Sequence, residues 1–322
     1  LFALCLFSLS MPTVGESDAA AVESKILWQI GKPNNDSAEF SLAPDGWRRF
    51  RTNFRTDPVF VVGGSESGRD WPYAHPGPED AWAGGQGHAF KILFGTGQTV
   101  REGNCRLIVD LVDTHGSKPP KLRIDVNDLS FEHQMPRGGT DASISGNPAA
   151  GRKHRFSIDI PAEAVKPGLN EVTITTLSGS WMLYDWVGFE TPPQMKLGEA
   201  KGTLMRSVRL DPWLSHKGGR LCQLMWVEFT QVDDASDITI LVTGLKPRKL
   251  QPSPGAQVVE IALPPAKKET RATVEVKSRG KTIFAQQIVR GPATERQPVD
   301  WVDTMLGTSS SRWMLYPGPS MP

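Results

Sequence analysis

The chain has 322 residues, with a net charge of +1, 39% hydrophobic residues and 22% charged residues, as in ordinary globular proteins of about two domains. This balance of charge gives no reason to expect binding to nucleic acid or to an acidic membrane surface. The 26 Pro and 31 Gly favour many short strands joined by turns. Ten Trp stand against three Tyr, and Trp is both a core residue and the preferred platform for stacking on a sugar ring.

The first residues have the character of an export signal. Residues 1–9 form an apolar run, and the small residues Ala19, Ala20 and Ala21 offer a cleavage site. The run is too short to span a bilayer, and no initiating Met or basic segment precedes it. We therefore expect residues 1–21 to be an incomplete signal peptide and the protein to be secreted or periplasmic.

Residues 22–192 are predicted to form a first β-sandwich. Apolar residues alternate with polar ones in a series of short segments that are separated by turns containing Gly and Asn. The segments are residues 26–30, 60–62, 90–94, 107–111, 122–126, 156–160, 172–174 and 179–190. Seven or eight strands in about 165 residues favour a jelly roll.

The last of these segments, residues 179–190, is expected to be a central strand, because both of its faces are apolar. Asp185 is the exception, and a carboxylate buried in such a strand must be paired, hydrogen-bonded or bound to a cation. Glu39 and Asp185 are candidate ligands of a structural calcium, provided that their two segments are neighbours. A buried ion pair or hydrogen bond is the alternative that we favour.

A long loop at residues 63–88 is rich in Gly, Pro and aromatic residues. Loops of this length are usually functional or disordered, and the aromatic content argues against disorder. Its rings either form a rim that stacks on sugars or cap the end of the sandwich core. On the first interpretation, the candidate carbohydrate-binding residues are four from this loop and two His from later segments: Trp71, Tyr73, Trp82, His88, His115 and His133.

Residues 193–297 contain fewer aromatic residues and are predicted to form an immunoglobulin-like β-sandwich that acts as a spacer. The expected strands are residues 221–230, 238–242, 258–263, 272–276 and 282–289. The chain then changes character again at residues 298–322, a segment too short to be a domain. We interpret this segment as the truncated start of another one.

Catalytic motifs are largely missing from the sequence. Glu66 occupies the centre of Gly64–Gly68, so this segment is not the Gly-x-Ser-x-Gly motif of a serine hydrolase. The six His include no pair spaced i, i+4, so a catalytic zinc site is not indicated. Glycoside hydrolysis needs two carboxylates flanking one bond, and the sequence alone does not pair them.

Several short motifs between residues 26 and 190 resemble the carbohydrate-binding-module-like third domain of polysaccharide lyase family 4, whose members are rhamnogalacturonan lyases. The motifs are Leu27–Gly31, Asp36–Phe40, Asp70–Tyr73 and Ser180–Asp185. The resemblance implies a jelly roll of the galactose-binding type, in agreement with the strand count. The catalytic domain of those lyases has no counterpart here, so the resemblance does not imply lyase activity.

A second resemblance covers only the end of the chain. Val302–Thr308, followed by Tyr316–Pro322, is similar to the opening of glycoside hydrolase family 92, which contains exo-acting, calcium-dependent α-mannosidases that invert the anomeric centre. The chain departs from the pattern of that family at Thr304, Leu306 and Pro319. The resemblance implies an α-mannosidase as the parent protein, but it places none of the catalytic carboxylates or calcium ligands of the family in this chain.

The sequence therefore predicts an all-β chain, with a galactose-binding-like jelly-roll sandwich followed by an immunoglobulin- or fibronectin-like sandwich. We expect a non-catalytic, carbohydrate-binding N-terminal fragment of an exported glycosidase. Its partners would be a polysaccharide or glycan and its own C-terminal catalytic domain. The alternatives are a structural scaffold that binds no sugar and, third, a domain that cleaves polysaccharide itself. Exposure of Trp71 and Trp82 would favour binding, and burial of both rings would favour the scaffold.

Overall fold

The computed structural model describes residues 24–98, 100–234 and 237–295, which form two β-sandwiches in succession. The predicted signal peptide and the segment at residues 298–322 lie outside the described residues. The described helices are α1 (Phe50–Asn53), α2 (Ser67–Asp70) and the 3-10 turns Trp47–Arg49, Ala81–Ala83, Pro148–Ala150 and Ala162–Ala164. None of these helices has the length and apolar character needed to cross a membrane.

The first sandwich consists of a five-stranded sheet and a six-stranded sheet. Its strands are β1 (Lys25–Gly31), β2 (Val59–Val61), β3 (Ala74–His75), β4 (Ala89–Thr96), β5 (Asn104–Thr114), β6 (Lys121–Val126), β7 (Leu129–Gln134), β8 (His154–Pro161), β9 (Gly168–Ser178), β10 (Met182–Thr191) and β11 (Leu197–Gly198). One sheet has the order β1-β10-β5-β8, with β3 paired to β10. The other has the order β11-β4-β9-β6-β7, with β2 parallel to β4. The predicted β-sandwich is confirmed.

Strand β10 lies in the middle of its sheet, between β1 and β5, and nearly all of its residues are buried. Phe189 stacks on Trp28 of the neighbouring strand β1 with ring centroids 5.3 Å apart, and it packs across the sandwich against Phe94 of β4 at 5.2 Å. The pairing of β10 with β5 shifts register between Tyr184 and Trp186, which makes Asp185 the extra residue of a β-bulge. The bulge explains how a carboxylate is accommodated in a strand that is apolar on both faces.

The second sandwich consists of a three-stranded sheet, β12-β13-β16, and a four-stranded sheet, β15-β14-β17-β18. These strands are β12 (Thr203–Lys217), β13 (Arg220–Gln231), β14 (Ile238–Val242), β15 (Arg248–Leu250), β16 (Gly255–Leu263), β17 (Thr270–Ser278) and β18 (Lys281–Arg290). They enclose a separate core whose buried residues run from Met225 to Ile288. This arrangement agrees with the predicted second sandwich.

Five strands of the two sandwiches were not predicted from the sequence: β3, β7, β11, β12 and β15. Most residues of strand β12 are half-exposed, so its sequence shows no clear apolar alternation. The strand also contains Pro212. Its register with β13 shifts between Leu210 and Leu214, and a proline is tolerated on such an edge strand because it need not donate to the ladder. Strand β11, beyond the predicted boundary at residue 192, pairs with β4 and belongs to the first sandwich.

Candidate functional site

A cleft of about 620 Å³ opens at one end of the first sandwich. Its walls come from the 3-10 turns at residues 47–49 and 81–83, the turn after β5, the loop after β7 and the turn between β9 and β10. Three indole side chains line it, those of Trp47, Trp82 and Trp181. The cleft therefore combines ring surfaces with the polar groups of loop segments, as binding sites for small polar molecules commonly do.

Trp47 and Trp82 form an aromatic corner, a name used here for these two residues. Their ring centroids are 5.0 Å apart and their planes meet at 73°. Both side chains are half-buried, so part of each ring faces solvent. Phe50 supports Trp82 from the core at 90°, and the guanidinium carbon of Arg48 lies 3.9 Å from the centroid of the Trp47 ring.

Asp80 holds the Trp82 side of this corner in place. It is 4% exposed, and its carboxylate accepts hydrogen bonds from the Ser180 hydroxyl at 2.5 Å, the Gly77 N–H at 2.8 Å and the Trp82 indole N–H at 3.1 Å. Burial raises the pKa of Asp80, although these hydrogen bonds act in the opposite direction. With three donors already bound, Asp80 serves to position Trp82 and the turn before β10.

His115 lines the cleft from the turn after β5. Its Nδ1 accepts the backbone N–H groups of Ser117 and Lys118 at 3.2 and 3.0 Å, so the neutral ring carries its proton on Nε2. The ring meets Trp181 edge-on, with centroids 5.4 Å apart. Lys118 donates to Glu79 at 2.8 Å, which links this turn to the segment before Trp82. The cleft thus offers hydrogen-bond donors and acceptors beside its aromatic surfaces.

Of the six predicted carbohydrate-binding residues, the structure brings two together in the cleft, Trp82 and His115. Trp71 and Tyr73 lie instead in the core, with 0% and 1% of their surface exposed. Trp71 packs edge-on against Phe90, and the Tyr73 hydroxyl donates to the Ile144 carbonyl at 2.5 Å. These two rings present no surface for stacking on a sugar, and their positions match the alternative in which the loop caps the core.

The remaining two predicted residues also lie away from the cleft. His88 is 4% exposed, and its ring nitrogens contact the Asp57 carboxylate at 2.7 Å and the Ala83 carbonyl at 3.2 Å. His133 lies on β7, where its ring stacks on Phe156 at 4.2 Å. Burial raises the pKa of Asp57, but the hydrogen bonds from His88 and the Ala89 N–H outweigh it and hold that pKa below its ordinary value. Both His side chains are therefore held by contacts within the protein, away from the cleft.

The two candidate calcium ligands, Glu39 and Asp185, have different hydrogen-bonding surroundings. Asp185 Oδ1 accepts the backbone N–H groups of Asn34, Asn35 and Asp36 at 3.1, 2.8 and 3.3 Å. The carboxylate is thus hydrogen-bonded, which is the alternative favoured on the basis of the sequence. Three N–H groups, which are not ligands of cations, are bonded to the oxygen that calcium would otherwise contact. Glu39 Oε1 is buried without a partner, and no group of three or more His, Cys, Asp and Glu within the described ranges could hold a metal ion. Calcium at this position stays a prediction.

None of the other cleft residues was identified from the sequence as a binding residue, among them Trp47, Arg48, Asp141 and Trp181. The sequence did contain a signal for the first two, because Trp47 is followed directly by two Arg within a segment containing Pro and Gly. A Trp among charged neighbours is a candidate for partial exposure. A second hollow, of about 300 Å³ and lined by Arg106, Asp159 and Glu190 among others, contains no aromatic ring, so the cleft is the stronger candidate.

A β-sandwich with aromatic side chains and hydrogen-bonding groups in a cleft between its loops has the architecture of a carbohydrate-binding module. Residues 26–189 match the family described as "CBM-like: Polysaccharide lyase family 4, domain III". The chain belongs to this family. The resemblance found in the sequence for the first sandwich is therefore confirmed.

The chain is also similar to a known lyase and, to a limited extent, to several solved structures. A rhamnogalacturonate lyase from Dickeya dadantii (strain 3937) is 27% identical over 188 residues, which are 56% of this chain and 30% of the lyase. The chain thus spans less than a third of the length of that relative.

Among solved structures, a GH2 β-galacturonidase from Eisenbergiella tayi has 10% identity and a TM-score of 0.23, over 64% of this chain and 35% of the other. A β-D-mannosidase from Dictyoglomus thermophilum has 8% identity and a TM-score of 0.25, over 63% and 29%. At these TM-scores, neither structure supports an argument about this chain.

Proposed function

We propose that the first sandwich is a non-catalytic module that binds carbohydrate in the cleft. The observation that carries the proposal is the aromatic corner, in which Trp47 and Trp82 keep part of their ring surfaces open beside the polar groups of His115, Lys118 and Glu79. Rings of this kind bind the apolar face of a sugar, and hydrogen-bonding groups around them fix its hydroxyls. The family match supports the same function.

An arginine-rich segment begins at the cleft, and its first member, Arg48, lines the walls together with Lys118, Glu79, Asp80 and Asp141. Four Arg occur in eight residues, and none forms an ion pair with an Asp or Glu of the described ranges: Arg48, Arg49, Arg51 and Arg55. Guanidinium groups without partners bind carboxylates through two parallel hydrogen bonds. The similarity to a rhamnogalacturonate lyase supports a polysaccharide of the rhamnogalacturonan type. On this proposal, binding weakens as salt concentration rises.

The test is affinity electrophoresis of the chain through gels containing soluble rhamnogalacturonan, followed by calorimetry. We expect retardation by the polysaccharide and its loss in a Trp47→Ala, Trp82→Ala double variant. Trp226→Ala is the matched control, because Trp226 is also half-buried beneath an arginine but lies on β13 of the second sandwich. Unchanged retardation in the double variant would refute the assignment of the cleft.

A second candidate function is a scaffold that packs on a catalytic domain without binding sugar. The burial of Trp71, Tyr73 and His88 favours it, because most of the aromatic loop serves the core. The partial exposure of Trp82 favours binding, whereas the burial of Trp71 favours the scaffold. The exposure of these two rings therefore does not choose between the two functions. A well-folded chain that binds no polysaccharide, but associates with the catalytic domain of its parent protein, would establish the scaffold.

We further propose that the parent protein is an exported glycosidase, most simply an α-mannosidase of glycoside hydrolase family 92. The motif at residues 302–308 supports this proposal, and the apolar run at residues 1–9 supports export. The test is the activity of the complete gene product on aryl α-mannosides, with and without calcium. Formation of unsaturated uronates from rhamnogalacturonan, without release of mannose, would identify a lyase instead.

A further inference from the structure

The angle between the two rings of the aromatic corner limits the physical form of the carbohydrate that can bind there. The planes of Trp47 and Trp82 meet at 73°, with their centroids 5.0 Å apart. Two rings at this angle cannot both lie parallel to one flat surface. When one ring stacks on the face of a sugar, the other can reach only an edge of that sugar or a neighbouring unit.

The surroundings of the corner restrict binding further. The Arg48 guanidinium lies 3.9 Å from the centroid of the Trp47 ring and covers one face of that indole. The corner is part of a recess of about 620 Å³ between loops, rather than a row of rings on an open sheet. A single polysaccharide strand can enter a recess of this kind, but the extended face of a crystal cannot.

The polar groups of the cleft lead to the same conclusion. His115, Asp141 and the Lys118–Glu79 pair line the walls beside the rings. Groups in these positions bond to hydroxyls at the edge of a sugar ring. In a crystalline polysaccharide those hydroxyls are already bonded to neighbouring chains, whereas in a soluble strand they are bonded only to water and can be exchanged.

We propose that the cleft binds one strand of a soluble polysaccharide and does not bind the flat face of a crystalline one. This inference rests on the proposed carbohydrate binding and adds the physical form of the ligand. One sugar unit lies in the aromatic corner, where Trp82 supplies the main stacking surface and Trp47 with Arg48 forms the side wall. The wall residues bond to the hydroxyls of that unit and of the next one along the strand.

The experiment compares soluble and crystalline probes with the same protein. Affinity gels contain soluble rhamnogalacturonan or soluble mannan, and depletion assays use microcrystalline cellulose and crystalline chitin. We expect retardation by at least one soluble polysaccharide, and no depletion by either crystalline solid. Trp82→Ala should weaken the soluble interaction about tenfold or more, whereas Trp226→Ala should leave it unchanged. Circular dichroism checks that each variant is folded.

The outcomes separate this inference from the proposed function. Depletion by cellulose or chitin that Trp82→Ala abolishes would overturn the inference while leaving carbohydrate binding intact. Binding to a soluble polysaccharide that survives Trp82→Ala would overturn the role given to the corner. If the folded protein binds none of the four probes, the proposed function fails and the inference fails with it.

Discussion

His75 is fully buried, and its two ring nitrogens have different partners. Nε2 lies 2.9 Å from the His88 carbonyl, which can only accept, so Nε2 carries the proton and Nδ1 accepts the Tyr184 hydroxyl at 2.9 Å. The ring stacks on Phe90 with centroids 3.6 Å apart. Burial lowers the pKa of His75 to about 3, because it outweighs the His88 carbonyl and the nearby Asp57 carboxylate, which act in the opposite direction.

The depressed pKa of His75 makes stability depend on pH. Between pH 6.5 and about 3, the unfolded chain binds a proton at His75 that the folded chain does not, so the free energy of unfolding falls as the pH is lowered through this window. The full effect is roughly 4–5 kcal/mol. Urea unfolding at pH 7 and pH 4 measures the part that develops above pH 4, about 3 kcal/mol. A His75→Gln variant should lose less stability than the wild type over this interval, and equal losses would contradict the assignment.

Asp113, at the end of β5, is a second buried residue with a defined task. It is 0% exposed, and its oxygens accept the N–H groups of Gly139 at 2.7 Å and Arg152 at 3.0 Å and the Ser143 hydroxyl at 2.6 Å. These bonds fix the loop between β7 and β8, which contributes Asp141 to the cleft. The position of a cleft residue therefore depends on a carboxylate outside the cleft.

Substitution of Asp113 tests this dependence. Asp113→Ala leaves two N–H groups without their acceptor and should reduce the free energy of unfolding by about 3 kcal/mol or more. Asp113→Asn keeps one accepting oxygen, and its amide can donate to the Ser143 hydroxyl, so we expect a loss of only about 1 kcal/mol. Chemical denaturation gives both values. Similar losses for the two variants would show that the hydrogen bonds are not the cause.

At the scale of elements, the short strand β11 attaches the connection between the sandwiches to the first one. Leu197 pairs with Thr96, and Gly198 pairs with Gly95. This contact requires glycine at residue 95, because a Cβ there would lie 2.1 Å from the Glu199 carbonyl oxygen. The connection between the two sandwiches is therefore held against β4 at Leu197 and Gly198.

Gly95→Ala should displace β11 from the sheet. Because backbone atoms cannot move aside as a flexible side chain would, we expect a cost of about 1–3 kcal/mol and faster hydrogen exchange at Leu197 and Gly198. Gly97→Ala is the matched control, since a Cβ at that residue would meet nothing within 4 Å. Unchanged exchange in the Gly95 variant would show that the strand yields without detaching.

At the scale of the whole molecule, an ion pair joins the two sandwiches. Arg206 on β12 donates to both carboxylate oxygens of Glu171 on β9, at 2.7 and 2.6 Å, and its Nε donates to the Thr230 hydroxyl at 2.9 Å. The two charged side chains are only 23% and 16% exposed. Burial, together with the nearby charge of Arg206, lowers the pKa of Lys91 at the same junction. This ion pair thus links the second sandwich to the first beyond the covalent connection between them.

Arg206→Met should break this link. The loss is about 2 kcal/mol, between the value of an exposed ion pair and that of a fully buried one. Small-angle scattering should show a larger radius of gyration, and calorimetry should show earlier unfolding of one sandwich. Arg209→Met is the control, because Arg209 pairs with Glu228 inside the second sandwich and is 62% exposed. An unchanged scattering profile for Arg206→Met would mean that other contacts hold the two sandwiches together.

The sequence by itself determined most of the strands of this protein and their arrangement as two successive β-sandwiches. Apolar alternation is a local pattern, and it identified β4, β5, β6, β8, β9 and β10 because each has one or two faces that must leave water. It missed β7, whose residues are all partly or fully exposed. It failed for β12, where half-exposed residues and Pro212 remove the pattern. The apolar pattern of residues 179–190 also implied that a buried Asp185 needs a partner, and the structure supplies three backbone N–H groups.

Only the tertiary structure decided which aromatic residues face the cleft. Trp71 and Trp82 occupy the same loop with similar neighbours, yet Trp71 is completely buried and Trp82 is half-exposed. Their directions follow from contacts with Phe90 and Trp47, which are distant in sequence or belong to another turn. A ring gains the same free energy from burial in a core as from burial under a sugar, so composition cannot separate the two; the path of the chain does.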